Sequence, residues 1–348
     1  MRILEVSRYK DNFAEHMLPF VKEQGEAIAK VLRESQVYGV QCTVESGEWR
    51  AESEASAVEY FLVKGDYITA VRELKAKIRE FRPDIVHAHY GLSAITAELQ
   101  NEVPVVTTFH NGETHHWWVN LMTSLMSLRA KHVIYVAPHI RDLVYFKAKN
   151  YSIIPCGVSL EDCFLMDKAE ARKKLGWDSE KKYILFGGAF SNTRKNYALL
   201  AEAVSIIDNQ KSKIEVIEMR GLSRYDCVLR MNAADVFALP TKNEGSPQAL
   251  KEAMACNCPI VATDVADIKY LLGDLPGHYV LPNKNGNGAY WVGDGHSAEE
   301  MARLLKEALN FNGRTKGRKR IVELGYTSEQ VAQKIIKIYK GILSRLLN

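Results

Sequence analysis

No apolar run in this 348-residue chain approaches the ~18 residues that a membrane span requires. The first residues, MRILEVSRYKDN, lack the layout of a signal peptide. Both absences point to a cytoplasmic protein. Neither sign of charge dominates: 46 Lys and Arg face 42 Asp and Glu, for a net charge of +4. That balance argues against a dedicated nucleic-acid binder and leaves room for a local basic patch. The six cysteines (Cys42, Cys156, Cys163, Cys227, Cys256 and Cys258) include no paired CxxC spacing. They read as reduced, mostly buried thiols, which excludes both a disulfide framework and a cysteine zinc site. No Asp-x-Asp motif stands at a strand end to hold a divalent ion, and no repeat is visible at residue level.

What is present is a soluble, globular composition, 47% hydrophobic and 25% charged, long enough for two domains. Short apolar runs alternate with helical patterns. ILEV, VQCTV, DIVHAH, PVVTTF, HVIYVA and YSIIP read as strands in the first half; YILFGG, IEVIEM, DVFALP and PIVATD do so in the second. The runs are rich in β-branched residues and nearly continuous, as in parallel sheets buried on both faces. Alternation of this kind predicts two Rossmann-like, doubly wound α/β domains with a deep cleft between them. The N-terminal domain takes residues 1–160 and the C-terminal domain 161–326. A final amphipathic helix, about 327–348, crosses back to the first domain, with Val331, Ile335, Ile336, Ile338, Tyr339, Ile342 and Leu346 as its apolar face.

Ligands of such sheets bind beyond the carboxyl ends of the strands. One stretch placed there is NEGSPQALKEAMACNCPIVATD. Ser246 can N-cap a helix and Pro247 suits its first position. Glu244 then lies on the loop before the helix, and Glu252 lies within it, roughly 7–8 Å along the axis from Pro247 at 1.5 Å per residue. Between them is a helix N-terminus suited to an anion. The loop FGGAFSNTRKN adds Gly187, Gly188, Arg194 and Lys195. Taken singly, each feature has a plainer reading as a surface cation, a helix-surface carboxylate or a solvated turn. His87 and His89 share a strand face, but the two alone make a poor metal site, with no third ligand near them in sequence.

Together these segments resemble the retaining glycosyltransferases of family 4, which have the GT-B fold. The resemblance is carried by EGSPQALKEAMACNCPIVATDVADI, a glutamate followed after seven residues by a second. MNAADVFALPTKNEGSP, FSNTRKNYALLAEAV, PDIVHAH, PVVTTFHNGE, KHVIYVAPHIRDL and IIPCGVSLEDCF extend it over most of the chain. It implies a hexosyltransferase that moves a sugar, with retention, from a nucleoside diphosphate sugar to a hydroxyl acceptor, with UDP-sugars favoured and GDP-sugars next. Polysaccharide or glycolipid assembly is the implied setting, and a lipid-linked sugar or a glycan the implied acceptor. Glu252 would take the ribose hydroxyls. Arg194, Lys195, Gly188 and the helix N-terminus would hold the diphosphate without a metal or other cofactor. Glu244, with the Gly245 and Ser246 amides, would face the sugar. Leu222 would pack the base, and His110 would reach the donor sugar as a catalytic residue beside Glu244.

The chain departs from the family pattern at several points. SRYKDNFAEHMLPF lacks the glycine pair common after the first strand, and Asn12 is the substitute. Asn196, Asn257 and Ala266 stand where glycine is common. Two other readings stay open: a nucleotide-sugar epimerase or hydrolase on the same fold, and an inactive partner subunit of a transferase. HHWWVNLMTSLMSLRAKH, with Trp117 and Trp118, reads either as a helix packed on the first sheet or as a peripheral contact with the inner face of a membrane.

Overall fold

The computed structural model describes residues 1–8, 19–37, 57–64, 66–111, 116–207, 214–283 and 296–347. The predicted strand VQCTV, Cys42 and Asn12 lie outside them. The chain forms two compact units, Met1–Gly157 with Ser328–Asn348, and Val158–Thr327.

In the first unit the elements are β1 (Ile3–Arg8), α1 (Pro19–Val37), β2 (Val58–Val63), α2 (Tyr67–Phe81), β3 (Ile85–His89), α3 (Gly91–Leu99), β4 (Val105–Phe109), α4 (Trp117–Ser127), β5 (His132–Tyr135), α5 (Pro138–Leu143) and β6 (Tyr151–Ile153). The second unit continues with α6 (Lys168–Leu175), β7 (Lys182–Phe186), α7 (Tyr197–Ile207), β8 (Ile214–Glu218), α8 (Arg224–Ala233), β9 (Val236–Leu239), α9 (Gln248–Ala255), β10 (Ile260–Thr263), α10 (Ile268–Leu272), β11 (His278–Leu281), α11 (Ala298–Leu309) and α12 (Gly317–Glu323). The last helix, α13 (Ser328–Leu347), belongs to the first unit.

Both sheets are parallel, in the orders β2-β1-β3-β4-β5-β6 and β11-β10-β9-β7-β8. β2 and β11 were not among the predicted strands. VEYFLV is half-buried over most of its length and HYVL at its two middle residues, so neither shows the continuous apolar signal of the central strands. Each order reverses once, between β1 and β3 and between β7 and β9. These are the switch points at whose carboxyl ends doubly wound sheets bind ligands.

Alternate residues of each strand supply two cores. In the second unit Leu185, Phe237, Leu239 and Ile260 pack with Leu250, Met254 and Ile268 on one side. Ile184, Phe186, Val236 and Val261 pack with Leu200, Met301 and Leu305 on the other. Ile3, Ile85, Val106 and Ile134 of the first sheet meet Ile28 of α1 and Val331, Ile335 and Tyr339 of α13. Ile338 sits at the rim of that cluster, and Leu346, expected on the apolar face, is 55% exposed. Cys156, Cys163, Cys256 and Cys258 are buried free thiols and Cys227 is half-buried.

The three positions where glycine is replaced share one conformation. Asn196, Asn257 and Ala266 have φ of 59°, 55° and 53°. Asparagine tolerates the left-handed region, whereas alanine there carries strain of about 1–2 kcal/mol. Ala266→Gly is therefore expected to raise stability by about 0.5–1 kcal/mol, after the larger unfolded-state freedom of glycine is subtracted. Urea denaturation measures this; a lower midpoint at unchanged slope would show that the alanine is not strained.

Candidate active site

The loops that follow β7 and β9 leave the switch point of the second sheet side by side. β7 ends in Gly187-Gly188. A Cβ on Gly188 would stand 2.9 Å from Cγ of Lys195, so the missing side chain makes room for the lysine stem. A single 3-10 turn, Thr193–Lys195, follows, closed by the left-handed Asn196. Its Arg194 carbonyl accepts from the Lys242 amide at 2.9 Å and the Thr241 hydroxyl at 3.2 Å. The Thr263 hydroxyl donates to the Thr241 carbonyl at 2.6 Å. Backbone hydrogen bonds thus tie the basic loop to the Glu244 loop, and the Arg194 side chain is left exposed.

Lys195 Nζ lies 2.5 Å from Glu244 Oε1, and both side chains are largely shielded from solvent. α9 begins at Gln248, one residue later than predicted. Pro247 occupies the N-cap position, so Ser246 does not cap the helix, and the cap residue makes no side-chain hydrogen bond of its own. A proline has no hydroxyl or carboxyl to offer a cap, and the chain turns into the helix at its fixed φ of −67°. Gly245 is buried and Ser246 half-buried before it.

Glu252, on α9, is 6% exposed. Burial raises its carboxyl above the ordinary range, opposed chiefly by Arg224, whose guanidinium Nη1 lies 2.9 Å from Oε1. Arg224 opens α8, behind a Ser223 cap, two residues after the half-buried Leu222. Sequence reasoning stopped at Leu222 and missed Arg224; the cue available was a cation at a helix start beside a segment already singled out. It also missed Lys251, fully buried in the first turn of α9, and Asp267. Burial pushes the Asp267 carboxyl up to about 6, with the Ser246 hydroxyl and Lys251 opposing and Glu244 adding to the rise. Around the start of α9 the structure brings together Lys195, Glu244, Ser246, Lys251, Glu252, Arg224 and Asp267. Such a ring of alternating charges suits a long polar ligand with anionic and hydroxyl parts.

His110 belongs to the first unit, just beyond β4. It is 8% exposed, and its Nε2 lies 3.1 Å from His89 Nδ1. His89 Nε2 lies 2.7 Å from Glu5 Oε2. A third acidic partner for the His87 and His89 pair therefore exists, contrary to the sequence reading: Glu5 of β1, paired in register with His87 although 82 residues away. The three groups lie within 4.8 Å of one another. In this arrangement they are engaged with one another and with Tyr339 rather than spaced round an ion. Two ligands at about 2.0–2.2 Å from one ion stand about 3 Å or more apart. The Glu5–His89 contact is shorter, and His87 Nδ1 is engaged at 2.6 Å by the Tyr339 hydroxyl.

Replacing Arg224 by Met tests the Glu252 pair. Without the guanidinium the buried carboxyl rises further above its ordinary value of 4.5. A raised carboxyl costs nothing while protonated and destabilises as pH climbs through its folded value. The variant should lose roughly 1–3 kcal/mol at pH 8, with Arg224 partly solvent-screened, and much less at pH 4.5. Melting temperatures at both values check this; a gap widest in acid would refute the pairing.

The sequence matches the family model described as Glycosyltransferase Family 4 over residues 39–162, and that described as Glycosyl transferases group 1 over 217–310. A Bacillus subtilis protein named as a teichuronic acid biosynthesis glycosyltransferase, TuaC, is 24% identical over 57% of each chain. A phosphatidyl-myo-inositol mannosyltransferase of Propionibacterium freudenreichii is 26% identical over 64% of this chain and 62% of its own. The chain thus spans somewhat under two thirds of the length of these two relatives. Among solved structures, sucrose-phosphate synthase of Thermosynechococcus elongatus superposes with a TM-score of 0.73 at 16% identity, over 99% of this chain and 100% of that one. Anabaena HepE in complex with UDP does so with a TM-score of 0.69 at 12% identity, over 98% and 100%. With both units a parallel α/β sheet, with the glutamate motif at the switch point of the second, and with these likenesses, the chain belongs to family 4 of the glycosyltransferases and has the GT-B fold.

Proposed function

We propose that the protein is a retaining glycosyltransferase that moves a hexose from a nucleoside diphosphate sugar, UDP-linked first and GDP-linked next, to a hydroxyl of a lipid-linked sugar or glycan. The observation that carries this reading is the pair of cation–carboxylate contacts, Lys195–Glu244 and Arg224–Glu252, set about the N-terminus of α9 at the β7/β9 switch point. The diphosphate takes over Lys195 together with Arg194 and the first amides of α9. Gly188 lets the lysine stem approach. Glu252, oriented by Arg224, accepts from the ribose hydroxyls, and Leu222 packs the base. Glu244, released from Lys195 by the incoming phosphate, turns to the sugar with the Gly245 and Ser246 amides. An oxocarbenium-like path with retention is what the family resemblance implies for this site. Cations and amides stabilise the leaving diphosphate, so no metal is required. The role of His110 towards the sugar rests on the family resemblance, as does the part played by Asn12.

Release of nucleoside diphosphate across a panel of nucleotide sugars, with and without hydroxyl acceptors, tests the activity. Acceptor-independent release would favour a hydrolase, and an epimerised donor an epimerase. Absence of nucleotide binding would leave an inactive subunit. Lys195→Ala should weaken nucleoside diphosphate binding about 10–150-fold, the loss of charge-assisted hydrogen bonds worth roughly 1.5–3 kcal/mol. Glu244→Ala should leave that affinity nearly intact and lower turnover. Calorimetry that finds wild-type affinity in Lys195→Ala would place the donor elsewhere.

The lipid-linked acceptor is supported by α4, which is built inside out. Val119, Asn120, Thr123, Ser124 and Ser127 are buried, while Trp117, Trp118, Met122 and Leu125 are 41–69% exposed. The inward hydroxyls are satisfied locally: Thr123 donates to the Val119 carbonyl and Ser124 to that of Asn120. Asn120 also holds the following segment through the Leu143 carbonyl and the Tyr145 amide, which brings exposed Tyr145 and Phe146 beside the helix. Arg129, Lys131, Lys147 and Lys149 lie in the same two segments, and no helix among the described residues is long and apolar enough to cross a membrane. Large apolar side chains with flanking cations suit the surface of an anionic bilayer. The protein should co-sediment with phosphatidylglycerol vesicles more than with phosphatidylcholine vesicles, and Trp117→Ser with Trp118→Ser should lose most of that binding. Equal sedimentation of the double variant, or association of the wild type only with itself, would refute the membrane contact.

A further inference from the structure

One face of the first sheet changes character along its strands. Ile3, Ile85 and Val106 begin it and pack under α1 and α13. Two residues on, the same face carries Glu5, His87 and Thr108. Two further on it carries Ser7, His89 and His110, at the carboxyl edge of the β1/β3 switch point. Glu5, His87 and His89 are at most 1% exposed.

Distances link three of these groups in series. Glu5 Oε2 to His89 Nε2 is 2.7 Å, His89 Nδ1 to His110 Nε2 is 3.1 Å, and His110 Nδ1 to Cys156 Sγ is 3.7 Å. The rings of His89 and His110 are stacked with centroids 5.4 Å apart. A carboxylate accepts only, so His89 bears its first proton on Nε2. His89 Nδ1 is then free of choice only through the ring beyond it. While His89 is neutral, Nδ1 accepts from His110 Nε2–H, and His110 Nδ1 is an acceptor facing the Cys156 thiol. The second carboxylate oxygen, Glu5 Oε1, is buried without a partner. A buried carboxylate served at one oxygen favours positive charge on its neighbour.

We propose that Glu5, His89 and His110 form a proton relay in which Glu5 and His89 are positioning residues and His110 is the outer member. When His110 takes a proton at Nδ1 from a hydronium ion, an O–H bond of the hydronium breaks, water leaves and a new N–H bond forms there. The Nε2–H bond of His110 breaks as its proton passes to His89 Nδ1. His110 ends neutral in its other tautomer, and the positive charge settles on His89 against Glu5. The reverse transfer returns the proton. His110 thus exchanges a proton at its outer nitrogen without holding the charge in its own ring.

Among the described residues, the other titratable groups packed against the relay are engaged as follows. His87, stacked 4.5 Å from His89, is held neutral by burial and by the neighbouring histidines. It is engaged by Thr108 at 2.7 Å and by Tyr339 of α13 at 2.6 Å. Burial and the charge of Glu5 keep the Tyr339 phenol protonated. Tyr90 and Phe20 cover the His110 ring with centroids 4.6 and 4.8 Å away, and Cys156 closes its outer side.

Nitrogen-15 NMR of the histidine rings in the full chain tests the relay without reference to any enzymatic activity. In the wild type, acidification should protonate His110 Nδ1 while Nε2 of the same ring loses its proton, with His89 becoming doubly protonated in the same step. Glu5→Gln removes the charge that holds the proton, and the step should move to lower pH by about one to three units. His89→Gln, a second variant should the first not fold, should leave His110 titrating as a lone imidazole that keeps the proton on Nε2. An unshifted titration in Glu5→Gln, a His110 ring that becomes doubly protonated in the wild type, or a stoichiometric metal ion in the purified protein would overturn the relay.

Discussion

A parallel sheet covered on both faces leaves its carboxyl edge as the place for chemistry. The strands of both units are consumed by packing: Leu185, Phe237 and Ile260 serve one core of the second unit, and Ile184, Val236 and Val261 the other. The loops after the strands carry polar groups, and at a switch point two such loops diverge and leave space between them. Lys195 and Glu244 come from the two loops at β7 and β9. Glu5, His89 and His110 crowd the corresponding point at β1 and β3. Each unit uses the same topological opening with a different chemical set.

Charge taken into such protein has to be matched, and where the matching occurs separates structure from function. Asp235, 5% exposed, meets Lys168 at 2.5 Å and Arg172 at 2.6 Å and accepts from the Tyr183 amide at 2.7 Å. It precedes β9, at the amino end of the sheet, and pins α6 to β7 and β9. The Lys195–Glu244 and Arg224–Glu252 pairs lie at the carboxyl end, on the loops and helix that follow β7, β8 and β9. Buried ion pairs contribute little net stability against apolar packing of the same volume. In the proposed function, the two beside the N-terminus of α9 are groups that exchange partners rather than braces.

The sequence made the central strands, the alternation, the glutamate spacing and the basic loop legible because each is encoded within a few residues. ILEV, DIVHAH and PVVTTF announce buried parallel strands by composition alone. β2 and β11 escaped because their half-buried residues dilute that signal. Arg224 escaped because its partner Glu252 is 28 residues away, and Glu5 because it meets His87 and His89 only through strand register. The start of α9 was misplaced by one residue because Ser246-Pro247 satisfies two capping rules at once, and the proline took the cap. The orientation of α4 could not be read either. Its tryptophans and leucines predict burial by composition, and only the packed neighbours show that the small polar side faces inward.

Three local rules are broken in this fold, and two of the breaks lie at places with a proposed role. A carboxylate interrupts the apolar strand ILEV, an alanine adopts φ of 53° beside Asp267, and α4 turns its apolar side outward. A sequence shaped by stability alone would replace Glu5 with an aliphatic residue, Ala266 with glycine, and Trp117 and Met122 with charged residues. Consistency between local preference and global fold is the ordinary condition of a folded chain, and exceptions persist where something else constrains the residue. For Glu5 that constraint is the pair of histidines it contacts, and for α4 the proposed contact with a bilayer surface. For Ala266 the structure supplies the strain but no partner that requires the methyl group. It is the exception of the three most open to replacement without functional loss.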